Sequence, residues 1–281
     1  MTDDGVIDQA ERYDRMAEGY DRWWAPVLAP SAVALLDRLE PLVADGDVGT
    51  VVDIGAGTGN LTIAALRRWP TLSVTAIDAS GEMIDQLERL ARAETPGLAD
   101  RLRVGVVDAA ALPYDDASFD LAMSSFVLQL VSSRAKALRE IRRVLRPGGT
   151  LGYVTWLRRE APFAPDRVFD ELLAEAGYED EPPDPRCGDI PSVSTGAAEM
   201  RSAGFSDVQA EEAVLAFPFT VDSYLGFLTD FDEETLFQEM GRSERRQFVA
   251  RLRERLMALP ADDLVFRAPI VYVTGRRSAA R

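Results

Sequence analysis

Residues 51–60 read Val-Val-Asp-Ile-Gly-Ala-Gly-Thr-Gly-Asn, an apolar β-rich run that breaks into alternating glycines. Glycine is needed where the chain turns tightly or where backbone must approach a ligand with no Cβ in between. A strand ending in such a loop and followed by a helical pattern, here Leu61–Trp69 stopped by Pro70, reads as the first βα unit of an open sheet. The spacing is G-x-G-x-G, with Asn60 where the dinucleotide fingerprint G-x-G-x-x-G has its last glycine. That argues against a pyrophosphate clasped at the helix start and favours a ligand lying across the loop. Asp78 ends the next strand-like run, 21 positions beyond Gly57. A carboxylate there can accept both hydroxyls of a ribose. Loop and acid together suggest a nucleoside without a diphosphate. The spacing also suits a plain βα turn in which Asp78 caps the following helix.

The rest of the first half repeats the rhythm. Strands are expected at Thr50–Ile54, Leu72–Ile77, Leu102–Val107, Phe119–Ser124 and Thr150–Trp156, and helices at Glu82–Ala93 and Arg134–Leu145, the latter closed by Pro147-Gly148-Gly149. Such alternation predicts a doubly wound α/β fold with a mostly parallel sheet and ligands beyond the strands' carboxyl ends. After Trp156 the rhythm breaks. Residues 158–192 carry six prolines around one helical stretch, Arg167–Ala176. It then resumes with a helix at Thr195–Ala203, a strand within Phe205–Phe217, helices across Val221–Leu259 and a last strand at Ile270–Thr274.

Composition removes whole classes of chemistry. The chain has 281 residues and no histidine, which excludes a Ser-His-Asp triad, a His-ligated metal and a His base. Cys187 is the single cysteine, so no intramolecular disulfide or Cys-rich metal site can form. Lys and Arg number 31 against 47 Asp and Glu, a net charge of −16 that opposes nucleic acid and anionic membranes as partners. No apolar run is long enough to span a bilayer, and the start lacks a signal-peptide pattern, so a reducing cytoplasm is expected.

Four segments in order resemble the class I S-adenosylmethionine-dependent methyltransferases, in particular the small-molecule branch related to the ubiquinone/menaquinone C-methyltransferases. They are Asp53–Gly59 (D-x-G-x-G-x-G), Ala76–Met83, Val107-Asp108-Ala109 with Leu112-Pro113 and Phe119-Asp120, and Leu145–Gly149. The resemblance implies a seven-stranded sheet with an inserted helical cap, and S-adenosylmethionine as cofactor. It implies that Gly55 and Gly57 pass close to the methionine part, that Asp53 orients its amino group, and that Asp78 holds the ribose. Ala79 and Met83 would flank the adenine, and Asp108 and the Ala109 amide would meet its polar edge. Ser125 and Phe126 would line the sulfonium side. Asp120 is expected to be structural.

Tyr13, Met16 and Tyr20 share one helical face near the N-terminus. Either that helix packs on the domain edge, or, as the resemblance implies, residues 1–30 form a lid whose tyrosines close over the cofactor. A methyltransferase core would then occupy 31–157 and 193–281. Substrate-binding segments would occupy 158–192 and 220–259, with Phe163, Phe217, Phe219, Tyr224, Phe227, Phe231 and Phe237 as candidate wall residues. The methyl donor carries its own activation, so catalysis by positioning is expected. Gln129 stands at or near where relatives often carry histidine and cannot act as a base, and the paired acids and Asn that would hold magnesium are not recognisable, so no metal is expected. The acceptor is expected to be a small molecule methylated on N, C or O. A non-methylating activity such as cyclisation, or a non-catalytic cofactor-binding role, stays open, as does the oligomeric state. The arginines of 242–255 read as a solvated face.

Overall fold

Both faces of the central sheet are covered, and its strands sort their side chains accordingly. The computed structural model describes residues 9–44, 48–94, 97–159, 162–178 and 188–278; Cys187, Pro182, Pro183 and Pro185 lie outside the described residues. The strands are β1 (Thr50–Ile54), β2 (Ser73–Asp78), β3 (Leu102–Val106), β4 (Phe119–Ser125), β5 (Leu145–Trp156), β6 (Phe205–Pro218) and β7 (Val265–Arg277). They form one seven-stranded sheet in the order β3-β2-β1-β4-β5-β7-β6. Pairs among β1 to β5 are parallel, and β7 runs antiparallel to both β5 and β6. Strand order reverses between β1 and β4, where α/β sheets open a crevice at their carboxyl ends.

Successive residues of a strand face opposite sides. Val51, Leu121, Met123 and Val154 enter the core shared with α2 (Ala25–Ala44) and α3 (Asn60–Arg68). Val52, Ile54, Ala122, Leu151 and Tyr153 enter the core shared with α5 (Arg134–Val144) and α7 (Val193–Ser202). α5 is capped by Ser133, whose hydroxyl accepts from the Lys136 amide, and buries Ala137, Leu138, Ile141 and Val144.

The elements depart from expectation where long-range pairing overrides local signals. β5 begins at Leu145 rather than Thr150, with a register shift between Phe119 and Leu121 on its β4 partner. β7 extends well beyond Ile270–Thr274 because β5 and β6 pair with it along most of its length. The lid boundary expected at residue 30 falls inside α2. This helix buries Leu28, Leu35, Leu36 and Leu39 and contains Pro30 and Pro41. The chain before it is a helix, α1 (Gln9–Gly19), joined by a wide π-helical turn over Tyr20–Trp24.

α4 (Gly81–Glu94) packs on β2 and β3 and under α1, and beyond the strand ends sits a helical cap. The cap comprises α6 (Ala164–Ala176), α8 (Val221–Phe227), α9 (Glu234–Glu239) and α10 (Arg242–Met257). Phe169, Phe237 and Phe248 form its interior, with ring centroids 5.8–6.2 Å apart. Arginines of α10 meet cap acids: Arg251 and Arg255 pair with Glu175, and Arg253 with Asp222. Exposed pairs of this kind belong to a solvated face. No helix among the described residues is long and apolar enough to cross a membrane.

Asp120 fixes the start of β1. Its Oδ2 accepts from the Gly49 and Thr50 amides at 2.9 and 2.8 Å and from the Thr50 hydroxyl at 2.9 Å, while Oδ1 pairs with Arg146. Burial pushes this carboxyl up, but those donors outweigh it and hold it below its ordinary range. Its stabilising contribution is therefore present at neutral pH and is lost as pH falls through the depressed value. Asp120→Ala should cost about 2 kcal/mol, because it strands amides at a partly buried strand start. Chemical denaturation at pH 7 checks this, and the gap to wild type should shrink in acid.

Candidate active site

The three glycines of the loop do different work. Gly55, Gly57 and Gly59 have φ of +69°, +54° and +101°. A Cβ on Gly55 would lie 2.3 Å from Val127 Cγ2, and one on Gly59 2.2 Å from Leu87 Cδ1. Both are excluded by packing as well as by backbone conformation. At Gly57 the nearest such atom is Tyr20 Cε1, at 3.9 Å. Gly57 is thus the glycine that faces the opening.

Asp78 ties this loop to β2. Its Oδ2 accepts from the Gly57 amide at 2.9 Å and its Oδ1 from the Ser80 amide at 3.0 Å. Burial raises its pKa, opposed by the amides of Ser80, Gly57 and Ala79. Each carboxylate oxygen still has acceptor capacity for a hydroxyl. The turn-holding role left open by the spacing is therefore present, and it coexists with room for a ligand's donors.

Asp53 lies beneath the loop at 1% exposure. Its Oδ2 accepts from the Thr62 hydroxyl at 2.6 Å, whereas Oδ1 is buried with no partner among the described residues. Burial pushes the carboxyl up to about 7, against the Thr62 hydrogen bond and with a further push from Asp78. A buried acceptor without a donor is costly unless a ligand supplies one. An ammonium group placed beside it would remove that cost.

The remaining expected residues converge on the same strand ends. Ala79 is exposed just past β2, and Met83 on α4 is buried, its amide donating to Ser80 Oγ at 3.1 Å. The Val107 amide donates to the Asp78 carbonyl at 2.7 Å, which brings the end of β3 alongside. Asp108 is exposed, with Oδ1 accepting from the Ala110 amide at 2.8 Å, and Ala109 is buried behind it. Ser125 ends β4 half-buried. Phe126 follows with φ +56°, a conformation rare outside glycine, and its amide donates to the Val154 carbonyl.

The N-terminal helix is closed over this crevice. Asp14 Oδ1 accepts from Ser80 Oγ at 2.5 Å and from the Glu82 amide at 3.2 Å, which caps α4 from outside. Asp21 accepts from Gln86 Nε2 at 3.3 Å. Tyr20 stacks edge-on to Tyr13 and Phe231 at 6.0 and 6.2 Å. Its hydroxyl pKa is driven far up by burial, then by Tyr13, Asp78 and Asp21. The N-terminal segment also fits the cap: a Cβ on Gly226 of α8 would fall 2.2 Å from Trp23 Cη2.

Between lid, strand ends and cap lies a cavity of about 250 Å³. Tyr13, Met16 and Tyr20 line it from the lid, Phe126, Gln129 and Leu130 from the loop after β4, and Phe163, Phe219, Tyr224, Phe227 and Phe231 from the cap. Phe217 and Phe237, expected in the wall, do not line it; Phe237 is 1% exposed inside the cap. Trp24, Trp156, Phe266 and Asp166 line it without having been expected. Each follows an unremarkable local pattern, and nothing in the sequence links them. Gln129 is fixed, donating to the Phe126 carbonyl at 2.7 Å and accepting from the Thr155 hydroxyl at 2.6 Å. Asp166 Oδ1 accepts from the Tyr224 hydroxyl at 2.6 Å.

Residues 51–149 match the family described as methyltransferase domain. The chain is 33% identical over 214 residues to the ubiquinone/menaquinone biosynthesis C-methyltransferase of Paracoccus denitrificans, an alignment covering 71% of this chain and 80% of that protein. This chain belongs to the S-adenosylmethionine-dependent methyltransferases. It is also 35% identical over 195 residues to a malonyl-[acyl-carrier protein] O-methyltransferase of Halorhodospira halophila, covering 69% of this chain and 60% of that one. Among solved structures, the [4+2]-cyclase SpnF shares 27% identity, with a TM-score of 0.52 over 87% of this chain and 82% of that one. A Haemonchus contortus phosphoethanolamine N-methyltransferase shares the fold, with 18% identity and a TM-score of 0.58 over 98% of this chain and 61% of that one.

The glycine geometry sets two expected outcomes. Gly57→Ala should fold, losing about 1–2 kcal/mol to the positive φ, and should bind S-adenosylhomocysteine more weakly. Gly55→Ala should lose more stability than that, since Val127 must also move. Thermal melts and titration calorimetry of the two variants separate these effects.

Proposed function

We propose that this methyltransferase moves a methyl group to a small organic acceptor held in the aromatic cavity, by positioning and without a histidine base or a metal. One observation carries the reading: the cavity runs from Tyr20, poised over Gly57 and Asp78, to the aromatic wall of the cap. Bound S-adenosylmethionine supplies a methyl group already activated on sulfur. The chain's part is to hold, orient and exclude water.

In this reading Asp53 Oδ1 meets the cofactor's ammonium, and the Gly55 and Gly57 backbone leaves room for the chain that carries it. Asp78 accepts from the ribose hydroxyls, Ala79 and Met83 flank the base, and Asp108 and the Ala109 amide meet its edge. Ser125 and Phe126 border the reacting end. Tyr13 and Tyr20 close the lid. Gln129 has both ends of its amide bonded, which supports a positioning role for that loop rather than proton transfer. Residues 9–24 act as the lid, and the helices of 158–192 and 220–259 as the substrate cap. The net charge of −16 supports a small molecule rather than nucleic acid as acceptor.

A second reading, a cyclisation on the same scaffold, has the 27% identity to the [4+2]-cyclase behind it. Incubation with methyl-labelled cofactor and a metabolite extract decides between them. Methyl transfer yields a labelled product and stoichiometric S-adenosylhomocysteine; a cyclase yields neither.

Asp53 gives a pH test. It is protonated in the folded protein below about pH 7 but ionised in the unfolded chain above the ordinary carboxylate range. The fold therefore holds an extra proton in that window, and stability falls as pH rises through it. Asp53→Asn should remove this slope, so that its Tm gains on wild type between about pH 5 and about pH 8. Binding of S-adenosylhomocysteine to the wild type near about pH 6 should release a proton, read by calorimetry in buffers of different ionisation heat.

A further inference from the structure

The wall of the cavity is largely aromatic. Phe126 and Trp156 lie 4.3 Å apart between centroids, Trp24 and Phe227 5.6 Å, and Trp24 and Trp156 6.3 Å. Aromatic faces carry negative potential and attract cations. The charged groups on the lining are Asp166, Asp232 and Arg12, two carboxylates to one guanidinium. Asp166 is held in place by the Tyr224 hydroxyl at 2.6 Å, and Tyr224 is itself 1% exposed. That bond occupies Oδ1 and leaves Oδ2 without a protein donor among the described residues. Asp166 is exposed at the cavity mouth, and partial desolvation of its carboxyl, countered by Tyr224 and reinforced by Asp232 and Asp170, raises its pKa to about 6, which leaves it mainly ionised at neutral pH.

Resting on the reading of this cavity as the acceptor site, we infer that the acceptor is a compact organic amine that enters as its ammonium, with Asp166 as its counter-charge and aromatic rings around its body. Attack needs the nitrogen lone pair, so one N–H proton first passes to the Asp166 carboxylate; the freed amine would then take the methyl group as the S–CH3 bond breaks and the sulfur leaves as the thioether of S-adenosylhomocysteine. The alternatives fit less well. A phenol or carboxylic acid that must carry negative charge before attack would develop it beside Asp166 and Asp232, a like-charge contact. A neutral apolar acceptor would cover the cavity-facing carboxylate with no donor in exchange. Size points the same way. A dry cavity of about 150 Å³ holds benzene; about 250 Å³ holds one ring with a short side chain.

The test uses three probes of one shape: 2-phenylethylamine, 2-phenylethanol and phenylacetate. Each is titrated calorimetrically into the full chain with and without saturating S-adenosylhomocysteine. The amine should bind at least about tenfold more tightly than the alcohol, and phenylacetate more weakly than either. Asp166→Asn keeps the acceptor for Tyr224 and removes the charge. It should reduce the amine's affinity by about tenfold and leave the alcohol's unchanged. The inference is overturned if the alcohol or the acid matches the amine, if Asp166→Asn does not change the preference, or if none of the three binds. Failure of S-adenosylhomocysteine to bind would instead count against the cofactor placement, and the amine preference would still be read in its absence.

Discussion

A carboxylate at the end of β2 holds two backbone amides that no secondary structure satisfies. Asp78 takes one from the glycine loop after β1 and one from the start of α4, so two successive βα turns share one anchor. The anchoring continues outward. Ser80, whose amide Asp78 holds, turns its hydroxyl to Asp14 of α1. Helix α1 is thereby registered against the loop through Asp78, Ser80 and Asp14. Burial of Asp78 strengthens each of these bonds electrostatically, and it also makes the carboxylate expensive to leave unpaired.

The same region carries two of the local conflicts seen among the described residues. Asp53 is buried with an unmet acceptor, and Phe126 adopts a backbone conformation that suits glycine. Both sit at carboxyl ends of central strands, and both disagree with an otherwise consistent core. Conflicts of this kind persist where surrounding packing overdetermines them, and they concentrate at binding sites. The sheet supplies that packing: β1 is hydrogen-bonded on both sides, to β2 and to β4.

What could be read from the sequence was what is local. The glycine spacing, the acid after β2 and the tyrosine face at 13, 16 and 20 each fit within a few turns of chain, and the structure brings all of them to one crevice. α2 was not read, because Pro30 and Pro41 interrupt its pattern and only packing on the sheet sustains it. The full length of β7 was hidden because its ends are held by pairing with β6 rather than by apolar alternation. The cavity wall was half legible. Aromatic residues of the cap stood out as a cluster, whereas Trp24, Trp156, Phe266 and Asp166 come from four separated segments. Their proximity exists only once the sheet has formed.

Gly226 lets Trp23 lie flush against α8, so the N-terminal segment rests on the element that also shapes the aromatic cavity. The two pieces form a matched joint. A cap borrowed from a relative with another residue at this contact would meet Trp23 at the wrong height, and the misfit would reach Tyr20 three residues away. The cavity wall and the N-terminal segment are therefore coupled at this joint, and a transplanted cap would have to travel as a cassette with residues 9–24.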